Sequence, residues 1–518
     1  MPVNPTYPGI YIEELPSSTR TMTAAPTSIA VVVGYTHPFK TKNFNKAVRV
    51  FNFTEYEREF GGFYQSGVVT ADVAYAVEQF FLNGGSDAYI VGLNPGFLAA
   101  QNTLSGIQFK ALEPTDLDTT HITVTISNVQ SSDPSGLPLD IADITVVYGS
   151  SGLRAETFRQ VTLDKSKPNF IEKRINGVST LVKVAPGILA PPAPASYPAV
   201  FSGSAPTSIT LSTVPGASVF TNEPFLKVFK PDHDLDKVPI FNLLLIPGVA
   251  DNLIWSAALY FCERKQAFLI LDPPKDACAD TISEQLNVME TLMSDPNIVP
   301  KNANGAIYFP YLKSTNPLTG NPIELRPSGF VAGIYARTDS NRGVWKAPAG
   351  LETVIMNTTG VVEWGKMTDQ RQGTLNIVGV NCLRAFPGIG TVVYGARTLV
   401  SSNPARQQWK YVPVRRIALF IEQTLLRNLG WVVFEPNDEP LWAAIRTSIQ
   451  GFMLSLFTQG AFQGSTPSQA FQVKCDKSTT TQQDIDNGIV NIVVAFAPLK
   501  PAEFVIVKIA QLAGQVQA

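Results

Sequence analysis

The sequence predicts a multidomain protein of the α/β (α+β) class, and three patterns support this prediction. Continuous apolar runs such as Ile29–Val33 alternate with helical segments, as in a layered α/β core. Residues 101–225 change to a period of two and are rich in Ser, Thr and Pro, which predicts an all-β surface insertion. Both chain ends look extended. The expected architecture is a layered core, a β-rich insertion, a C-terminal α+β domain and two terminal arms.

The composition excludes two broad classes of protein. The chain has 518 residues, of which 45% are hydrophobic, so intrinsic disorder is excluded for most of it. A net charge of −2 argues against nucleic-acid binding through bulk positive charge. Charged residues make up only 16% of the chain, against about 25% in typical soluble domains. This deficit predicts surface buried against partners, and a surface rich in uncharged polar side chains is the alternative.

The N-terminal arm, residues 1–23, is punctuated by prolines. Between them lies a short aromatic and β-branched run, Tyr7–Glu14, in which Pro8 prevents a helix. One strand of this length cannot form a sheet by itself. The run is therefore either a disordered tail or a strand lent to another chain. The residues predicted to form the lent strand are Tyr7, Gly9, Ile10, Tyr11 and Ile12.

Residues 24–100 and 226–370 are predicted to form one α/β domain. The capping-box pattern Thr54–Glu57 predicts a short helix, and Thr70 can cap a second helix that ends at Asn83–Gly85. The second helix is predicted to bury Val73, Val77, Phe80 and Phe81. Later elements are predicted as strands at Ala88–Leu93, Ile240–Ile246, Phe268–Leu271 and Ala306–Pro310, and as helices near 251–265, 276–294 and 327–338. This order predicts a sheet covered by helices.

Residues 101–225 are predicted to form a separate β-rich unit. In His121–Val129, the apolar residues at even positions point to one side and polar residues to the other, which is typical of a half-buried strand. A proline-rich connector is predicted at Pro186–Pro198. Similar strands are predicted at Ile144–Tyr148, Glu156–Leu163, Thr180–Val184 and Ser208–Val214.

Residues 371–502 are predicted to form the C-terminal α+β domain, and residues 503–518 the second arm. Helices are expected at Pro413–Leu429 and at about 441–458, because apolar residues recur there at a helical period. Strands are expected at Phe471–Cys475, Val490–Ala497 and Phe504–Ile509. The last strand is apolar on both faces, which favours a strand lent to another chain. Its residues are Phe504, Val505, Ile506 and Val507.

Near matches to catalytic and metal-binding motifs are interpreted as structural. Gly360–Met367 resembles a phosphate loop but has Met367 where Ser or Thr must hold magnesium. Asp272 ends an apolar strand, either as a magnesium-holding aspartate or as the end of a core strand at a turn. Asp232–Asp236 can bind a divalent cation or form an acidic loop. We therefore expect no catalytic residue, metal ligand or cofactor.

Three features predict a cytoplasmic protein without a membrane segment. The opening Met1–Pro5 lacks the basic and apolar regions of a secretory leader. No uncharged apolar run approaches the roughly 18 residues of a membrane helix. The four cysteines are far apart and form no CxxC pair, as expected of buried thiols in a reducing compartment.

Several short segments form a recognisable series in their order along the chain. The series opens with Tyr-Pro-Gly-Ile-Tyr-Ile-Glu-Glu at Tyr7–Glu14. It continues at Gly333–Asp339, Gly343–Gly350, Asn381–Arg384, Gly395–Thr398, Val414–Arg416, Phe434–Asn437, Leu441–Trp442 and Pro498–Phe504. Together these segments resemble the tail sheath proteins of contractile phages and phage-tail-like injection systems. The family often has Asn at the position where this chain has Gly350. Only 101–225 lies outside the resemblance.

The resemblance implies a structural role. Sheath subunits stack helically around an inner tube, with the C-terminal domain facing the tube and the insertion facing outward. The arms add strands to neighbouring subunits, and contraction drives the tube through a target envelope. The implied partners are copies of the chain, the inner tube protein, and baseplate and tail terminator (cap) proteins, without nucleic-acid contact or membrane insertion. The particle, a phage tail or a phage-tail-like injection device, is expected to assemble in the bacterial cytoplasm.

Candidate tube-facing residues are Arg415, Arg416 and Trp442. The two arginines can pair with carboxylates of a tube, and Trp442 lies on the 441–458 helix. The alternative is that at least one arginine braces the core. Two other functions stay open from the residues alone: an α/β hydrolase-type enzyme that depends on Asp272, or an adhesive binding protein that uses the insertion.

Overall fold

The structure is a computed structural model of the chain. It describes residues 21–65, 71–94, 99–112, 115, 121–132, 138–149, 154–185, 205–212, 220–274, 282–362 and 367–508. The predicted arm strand Tyr7–Glu14, the predicted cap Thr70 and the predicted connector Pro186–Pro198 lie outside these residues.

Strands and helices alternate along much of the chain. The strands are β1 (Ala30–Tyr35), β2 (Ala47–Val50), β3 (Ala88–Leu93), β4 (Gln101–Leu104), β5 (Ile107–Ala111), β6 (Ile122–Ser132), β7 (Pro138–Tyr148), β8 (Arg154–Thr162), β9 (Val182–Val184), β10 (Thr207–Leu211), β11 (Leu243–Leu245), β12 (Phe268–Leu271), β13 (Gly305–Phe309), β14 (Leu312–Thr315), β15 (Pro322–Leu325), β16 (Gly360–Val361), β17 (Val380–Phe386), β18 (Gly390–Val393), β19 (Phe471–Lys474) and β20 (Val493–Phe496). The α-helices are α1 (Phe53–Phe60), α2 (Asp72–Leu82), α3 (Ile171–Ile175), α4 (Glu223–Val228), α5 (Asn252–Lys265), α6 (Ile282–Ser294), α7 (Ser328–Arg342), α8 (Asp369–Ile377), α9 (Val412–Asn428), α10 (Glu439–Thr458), α11 (Pro467–Ala470) and α12 (Gln482–Asp486).

The main sheet has the strand order β18-β17-β13-β12-β11-β1-β3-β2. The strands from β17 to β3 run parallel, and the edge strands β18 and β2 run antiparallel to their neighbours. In the centre, Ala30 of β1 aligns with Leu243 of β11 and with Ala88 of β3. Parallel strands are buried on both faces and therefore need continuous apolar sequence. The strands predicted from such runs, including Ala88–Leu93 and Phe268–Leu271, are confirmed.

Helices cover both faces of the main sheet. One cluster of buried residues joins α2 and α7 to the sheet, and a second cluster joins α4, α5, α6 and α8 to the opposite face. Two glycines of α7 let it lie directly on α2. A Cβ atom at Gly329 would lie 2.4 Å from the carbonyl oxygen of Ala76, and one at Gly333 would lie 2.7 Å from that of Phe80. The predicted layered α/β core is confirmed.

The first two helices begin differently from the prediction. In α1 the cap is Asn52, whose side chain accepts from the Glu55 amide at 2.8 Å, so Thr54 already lies inside the helix. Glu55 closes the cap by accepting from the Phe51 amide at 2.9 Å. Helix α2 follows Ala71, which makes no side-chain capping bond. The periodicity located both helices correctly, but several polar residues stood near each start and local sequence did not decide among them.

The region 101–225 is β-rich, as predicted. Its described residues form a four-stranded sheet, β10-β6-β7-β8, and a three-stranded sheet, β4-β5-β9. Ile122, Val124 and Ile126 are buried, and the polar residues between them are partly exposed. These strands share a hydrophobic cluster that contains no residue of the main sheet. The exact limits of this unit, like the other domain limits, stay a prediction.

The C-terminal part packs two long helices on a small sheet. Helices α9 and α10 bury their apolar faces against the two-stranded sheet β19-β20. Strands β17 and β18, in contrast, belong to the main sheet, where Val380 pairs with Ile307. The boundary predicted at residue 370 therefore does not fall at a break in that sheet. A sequence pattern shows that a strand is present, but not which sheet edge the strand joins.

Asp272, the residue on which the hydrolase alternative depends, is a buried structural acceptor. It follows β12 and accepts from the backbone amide of Ser328 at 2.8 Å and from the Ser328 hydroxyl at 2.7 Å, at the start of α7. Burial raises the pKa of Asp272 from 3.8 to about 6, although the Ser328 bonds and Arg326 work in the opposite direction. This geometry matches the core-strand interpretation.

The raised pKa predicts a pH-dependent stability. Because the folded pKa exceeds the unfolded one, the stabilising contribution is complete below about pH 3.8 and is lost as the pH rises through about 6. The free energy of unfolding should fall by about 3 kcal/mol through this group. Asp272→Asn should remove that part of the slope, as measured by urea denaturation at several pH values. Identical slopes in the two proteins would contradict the assignment.

Candidate functional site

The C-terminal arm is the most exposed apolar segment of the described chain. Phe504, Val505, Ile506 and Val507 are between 71% and 83% exposed. The strand predicted at Phe504–Ile509 is not formed in its described part, residues 504–508. A strand needs a hydrogen-bonding neighbour, and no strand within the described residues pairs with this segment. Four consecutive exposed apolar side chains indicate an interaction surface.

The arm leaves the body of the protein at a clamped carboxylate. Glu503 accepts two bonds from the guanidinium of Arg397, both at 2.7 Å. It also accepts from the Asn376 amide at 2.8 Å and from the Tyr411 hydroxyl at 3.0 Å. Arg397 is buried and donates in addition to the Asn376 carbonyl at 2.6 Å. Glu503, the last residue before the exposed segment, is therefore held by three different side chains.

The charge state of the clamp follows from these contacts. Partial burial works to raise the pKa of Glu503, but the hydrogen bonds from Arg397 and Asn376 outweigh it and lower the pKa below its usual value of 4.5. The Glu503 carboxylate is thus ionised at neutral pH. Its stabilising contribution is complete above about pH 4.5 and is lost as the pH falls through the lowered pKa. A bidentate arginine–carboxylate pair also fixes direction, because both groups are planar.

The root of the N-terminal arm is held in a comparable way. The side-chain amide of Asn428 accepts from the Thr23 amide at 2.9 Å and donates to the Thr23 carbonyl at 2.8 Å. The Ala25 amide donates to the Thr424 hydroxyl at 3.1 Å. The predicted strand residues Tyr7, Gly9, Ile10, Tyr11 and Ile12 lie outside the described residues. The described chain therefore shows where this arm begins.

Arg416 is not a surface residue, so its predicted tube-facing role is wrong. It is 4% exposed and forms a two-pronged ion pair with the buried Asp339, at 2.8 and 2.6 Å. Its guanidinium lies 4.7 Å from the ring centre of Tyr335 and donates to the Thr27 carbonyl at 3.0 Å. The alternative, that at least one arginine braces the core, is the one observed.

The other two tube-facing candidates also have partners inside the chain. Trp442 is 2% exposed, and its indole donates to the Asn437 side chain at 2.9 Å, so it is a core residue of α10 and not a contact residue. Arg415 is partly buried, donates to Asn304 at 2.9 Å and to Glu422 at 3.1 Å, and lies over the Trp409 ring. All three side chains have internal roles.

Within the described chain, no other named strand pairs with the two-stranded sheet β19-β20, and an isolated bridge joins Phe462 to Pro498 just beyond β20. Its strands pair only with each other, from Phe471 opposite Phe496 to Lys474 opposite Val493. Val493 is 49% exposed. A two-stranded sheet is marginal alone and gains stability from further strands.

The acidic loop and the phosphate-loop near match were considered above as possible binding motifs. The acidic loop around Asp236 pairs with Arg264 at 2.9 Å and with Lys265 at 3.2 Å. Residues 363–366 of the phosphate-loop near match lie outside the described residues. Among the residues that are described, no group of three or more His, Cys, Asp or Glu side chains could hold a metal ion. None of the helices in that same part of the chain is long and apolar enough to cross a bilayer.

The anchors of the two arms were missed by the sequence reasoning. Arg397 and Glu503 both stood inside segments that carried the family resemblance, and one buried charge beside an apolar strand is a usable signal for a partner of opposite charge. Asn428 gave no such signal. Its contact with Thr23 joins residues 405 positions apart, which no local pattern reports.

Two family models match the chain. One is described as the phage tail sheath protein central domain and matches residues 238–399. The other is described as the phage tail sheath C-terminal domain and matches residues 405–511. Together they cover more than half of the sequence.

Two curated relatives are similar over about half of this chain. A putative prophage major tail sheath protein of Pseudomonas aeruginosa (strain UCBPP-PA14) is 24% identical over 265 residues, which are 50% of this chain and 62% of the relative. A tail sheath protein of Salmonella phage ViI is 24% identical over 282 residues, which are 53% of this chain and 41% of the relative. The chain thus matches less than two thirds of the length of either relative.

A solved structure matches the whole fold. The helical sheath of the anti-feeding prophage (AFP), determined in its contracted state, gives a TM-score of 0.58 at 23% sequence identity, over 98% of this chain and 99% of that chain. The architecture predicted from the sequence and the architecture of that sheath protein are the same multidomain α+β fold. By its family models and its fold, the chain belongs to the phage tail sheath protein family.

Proposed function

We propose that this chain is a structural, non-catalytic subunit of a contractile sheath. In this proposal it polymerises helically around an inner tube and contracts to drive the tube through a target cell envelope. The observation that carries the proposal is the exposed apolar arm Phe504–Val507, which follows a firmly clamped root and has no partner strand within the described chain. Family membership supplies the context.

The receiving surface for the arm is proposed to be β19-β20 of a neighbouring subunit. The arm supplies one strand, and an outer edge of that small sheet can accept one through main-chain hydrogen bonds. At about 3.3 Å per residue, an arm of eight residues reaches roughly 26 Å, which is enough to cross to a neighbour. Head-to-tail contacts of this kind build open helical polymers when the rotation between neighbours does not close a ring. The N-terminal arm is proposed to add a strand in the same manner.

Contraction needs no bound fuel in this proposal. The extended sheath is a higher-energy arrangement that assembly traps, and contraction buries more surface between subunits. Roughly 100 Å² of additional apolar burial per subunit would stabilise the contracted lattice by about 2.5 kcal/mol per subunit. Because the contact repeats in every subunit, the total over a sheath is large.

The proposed partners follow from the same assembly. They are copies of this chain, an inner tube protein, and baseplate and tail terminator proteins at the two ends, without nucleic-acid contact or membrane insertion. The particle is a phage tail or a phage-tail-like injection device that assembles in the bacterial cytoplasm. The contracted helical sheath of AFP, to which this fold is similar, supports the self-assembly.

The tube-facing surface is proposed to lie on the C-terminal unit, around the connection between α9 and α10. Val433 and Phe434 are exposed there, and Phe434 is completely so. The backbone of Phe434 has φ of +71°, a conformation that costs energy for a bulky residue. A partner that covers the ring removes its apolar surface from water, which is favourable. A strained backbone that holds an aromatic ring outward is typical of functional sites.

Interrupting the arm should block assembly without changing the stability of the single chain. Successive amides of a strand point to opposite sides, so at least one of Ile506→Pro and Val507→Pro removes a hydrogen bond to the receiving sheet. Both side chains are exposed, so the melting temperature of the dispersed protein should stay unchanged. Negative-stain microscopy should show tubes for the parent protein and none for at least one proline variant.

The matched controls are Ile506→Thr and Val507→Thr, which keep the backbone donor and the preference for strand. They should still form tubes, of similar or lower abundance. Tubes of normal length from both proline variants would show that main-chain pairing of the arm is not required, and would contradict the proposal.

Changing Phe434 should weaken attachment to the inner tube selectively. Phe434→Asn removes the ring, and Asn tolerates positive φ, so the fold should be kept. Loss of one buried aromatic contact corresponds to about 1.5–3 kcal/mol per subunit, or roughly tenfold or more in affinity. The measurement is the fraction of sheath that sediments with tubes. Val178→Asn, at another exposed apolar position, is the control, and equal binding by the two variants would exclude this surface.

A further inference from the structure

Helix α9 contacts the roots of both terminal arms, one near each of its ends. The helix has 17 residues, which corresponds to a length of about 25 Å. Tyr411, the residue that precedes its first turn, donates its hydroxyl to Glu503 at the root of the C-terminal arm, at 3.0 Å. Asn428, its last residue, is bonded to both backbone groups of Thr23 at the root of the N-terminal arm.

The N-terminal segment continues along the helix after Thr23. The Ala25 amide donates to the Thr424 hydroxyl, one turn before Asn428. Arg416, near the other end of the helix, donates to the Thr27 carbonyl at 3.0 Å. Residues 23–27 are therefore bonded to α9 at three levels along its axis. The root of this arm cannot turn relative to the helix without breaking several hydrogen bonds.

The helix is also fixed to the body of the protein. Gln423 accepts from the Asn242 amide at 2.7 Å and donates to the Phe241 carbonyl at 2.9 Å, next to the main sheet. Arg416 holds α7 through the buried pair with Asp339, whose removal from either side would leave an unpaired buried charge. The helix therefore has one position in the fold, and both arm roots share it.

We propose that α9 is a rigid tie between the two arms, so that tension applied to one arm by a neighbouring subunit passes along this helix to the other arm. The inference rests on the proposed function, in which both arms engage neighbours. An α-helix holds its length through a continuous ladder of backbone hydrogen bonds. One path from Thr23 to Glu503 runs through the Asn428 side chain, the backbone of α9 and the Tyr411 side chain, without passing through the insertion or the main sheet. The bidentate pair with Arg397 holds Glu503 in addition.

The positioning residues of this tie are Asn428 and Tyr411, together with Glu503 and Arg397. They place the two arm roots at a fixed separation. The expected consequence is that the roots move as one body when a subunit rotates during contraction. Any change of arm direction is then confined to residues outside the roots, before Thr23 and after Glu503.

The test is a distance measurement by pulsed electron resonance between spin labels at Ala24 and Ala502, two exposed positions at the roots. The labels are attached through non-natural ketone residues, which leaves the native cysteines unchanged. We expect one narrow distribution on the order of the helix length, about 25 Å. The distribution should be the same in dispersed protein, in extended sheaths and in contracted sheaths. A shift between the two sheath states by more than one helical turn, about 5.4 Å, would overturn the tie.

Variants separate a tie from a general effect on folding. Asn428→Leu removes both bonds to Thr23 at similar size and should broaden the distribution, and Tyr411→Phe should do so at the other root. Arg427→Leu, at the exposed neighbouring position, should leave it narrow. An unchanged distribution in both Asn428→Leu and Tyr411→Phe would also overturn the inference. Failure of the labelled parent protein to assemble would count against the proposed function. The distances measured in dispersed parent and variant proteins would still test whether α9 fixes the separation of the two roots.

Discussion

An apolar strand without a neighbour is the constraint on which the rest of this structure depends. Phe504–Val507 expose both their peptide groups and large apolar side chains. Water can satisfy the peptide groups but not the side chains, whereas a sheet edge satisfies the first and covers the second. Within the described residues no strand pairs with this segment, and in the proposed sheath the free energy of burying it is gained between molecules. The contacts of Glu503 fix the point at which the exposed segment leaves the body of the protein, so the segment is presented in a defined position.

Most of the fold could be predicted from the sequence, since its main elements are set by local periodicity. The continuous run at Ile29–Val33 and the apolar period of α10 each determine an element without reference to distant residues. The sequence could not predict which sheet a given strand joins. The sequence pattern of Val380–Phe386 is the same whether the strand joins the main sheet or a separate domain. The pattern indicates which faces of a strand are buried but not which strand lies beside it.

The candidate site was predicted less well, for a related reason. The exposed segment Phe504–Val507 could be picked out because its apolar run is local, yet Arg416 and Trp442 were assigned to a surface although they are buried. A charged residue in a helix is usually exposed, and only Asp339, 77 positions away, makes burial of Arg416 possible. The same holds for Glu503, whose partner Arg397 lies 106 positions away. Buried polar groups depend on tertiary partners, which single-sequence patterns do not contain.

The polar anchors of the arms lie outside the β-rich region. The β-rich region has its own hydrophobic cluster, and neither arm root bonds to it in the described chain. Insertions there change no contact that positions an arm. The anchors on α9, in contrast, couple three segments that are distant in sequence, so a change in one alters the geometry of the others. In the proposed sheath, strain at an arm passes to the next subunit through these anchors and does not pass through the β-rich region.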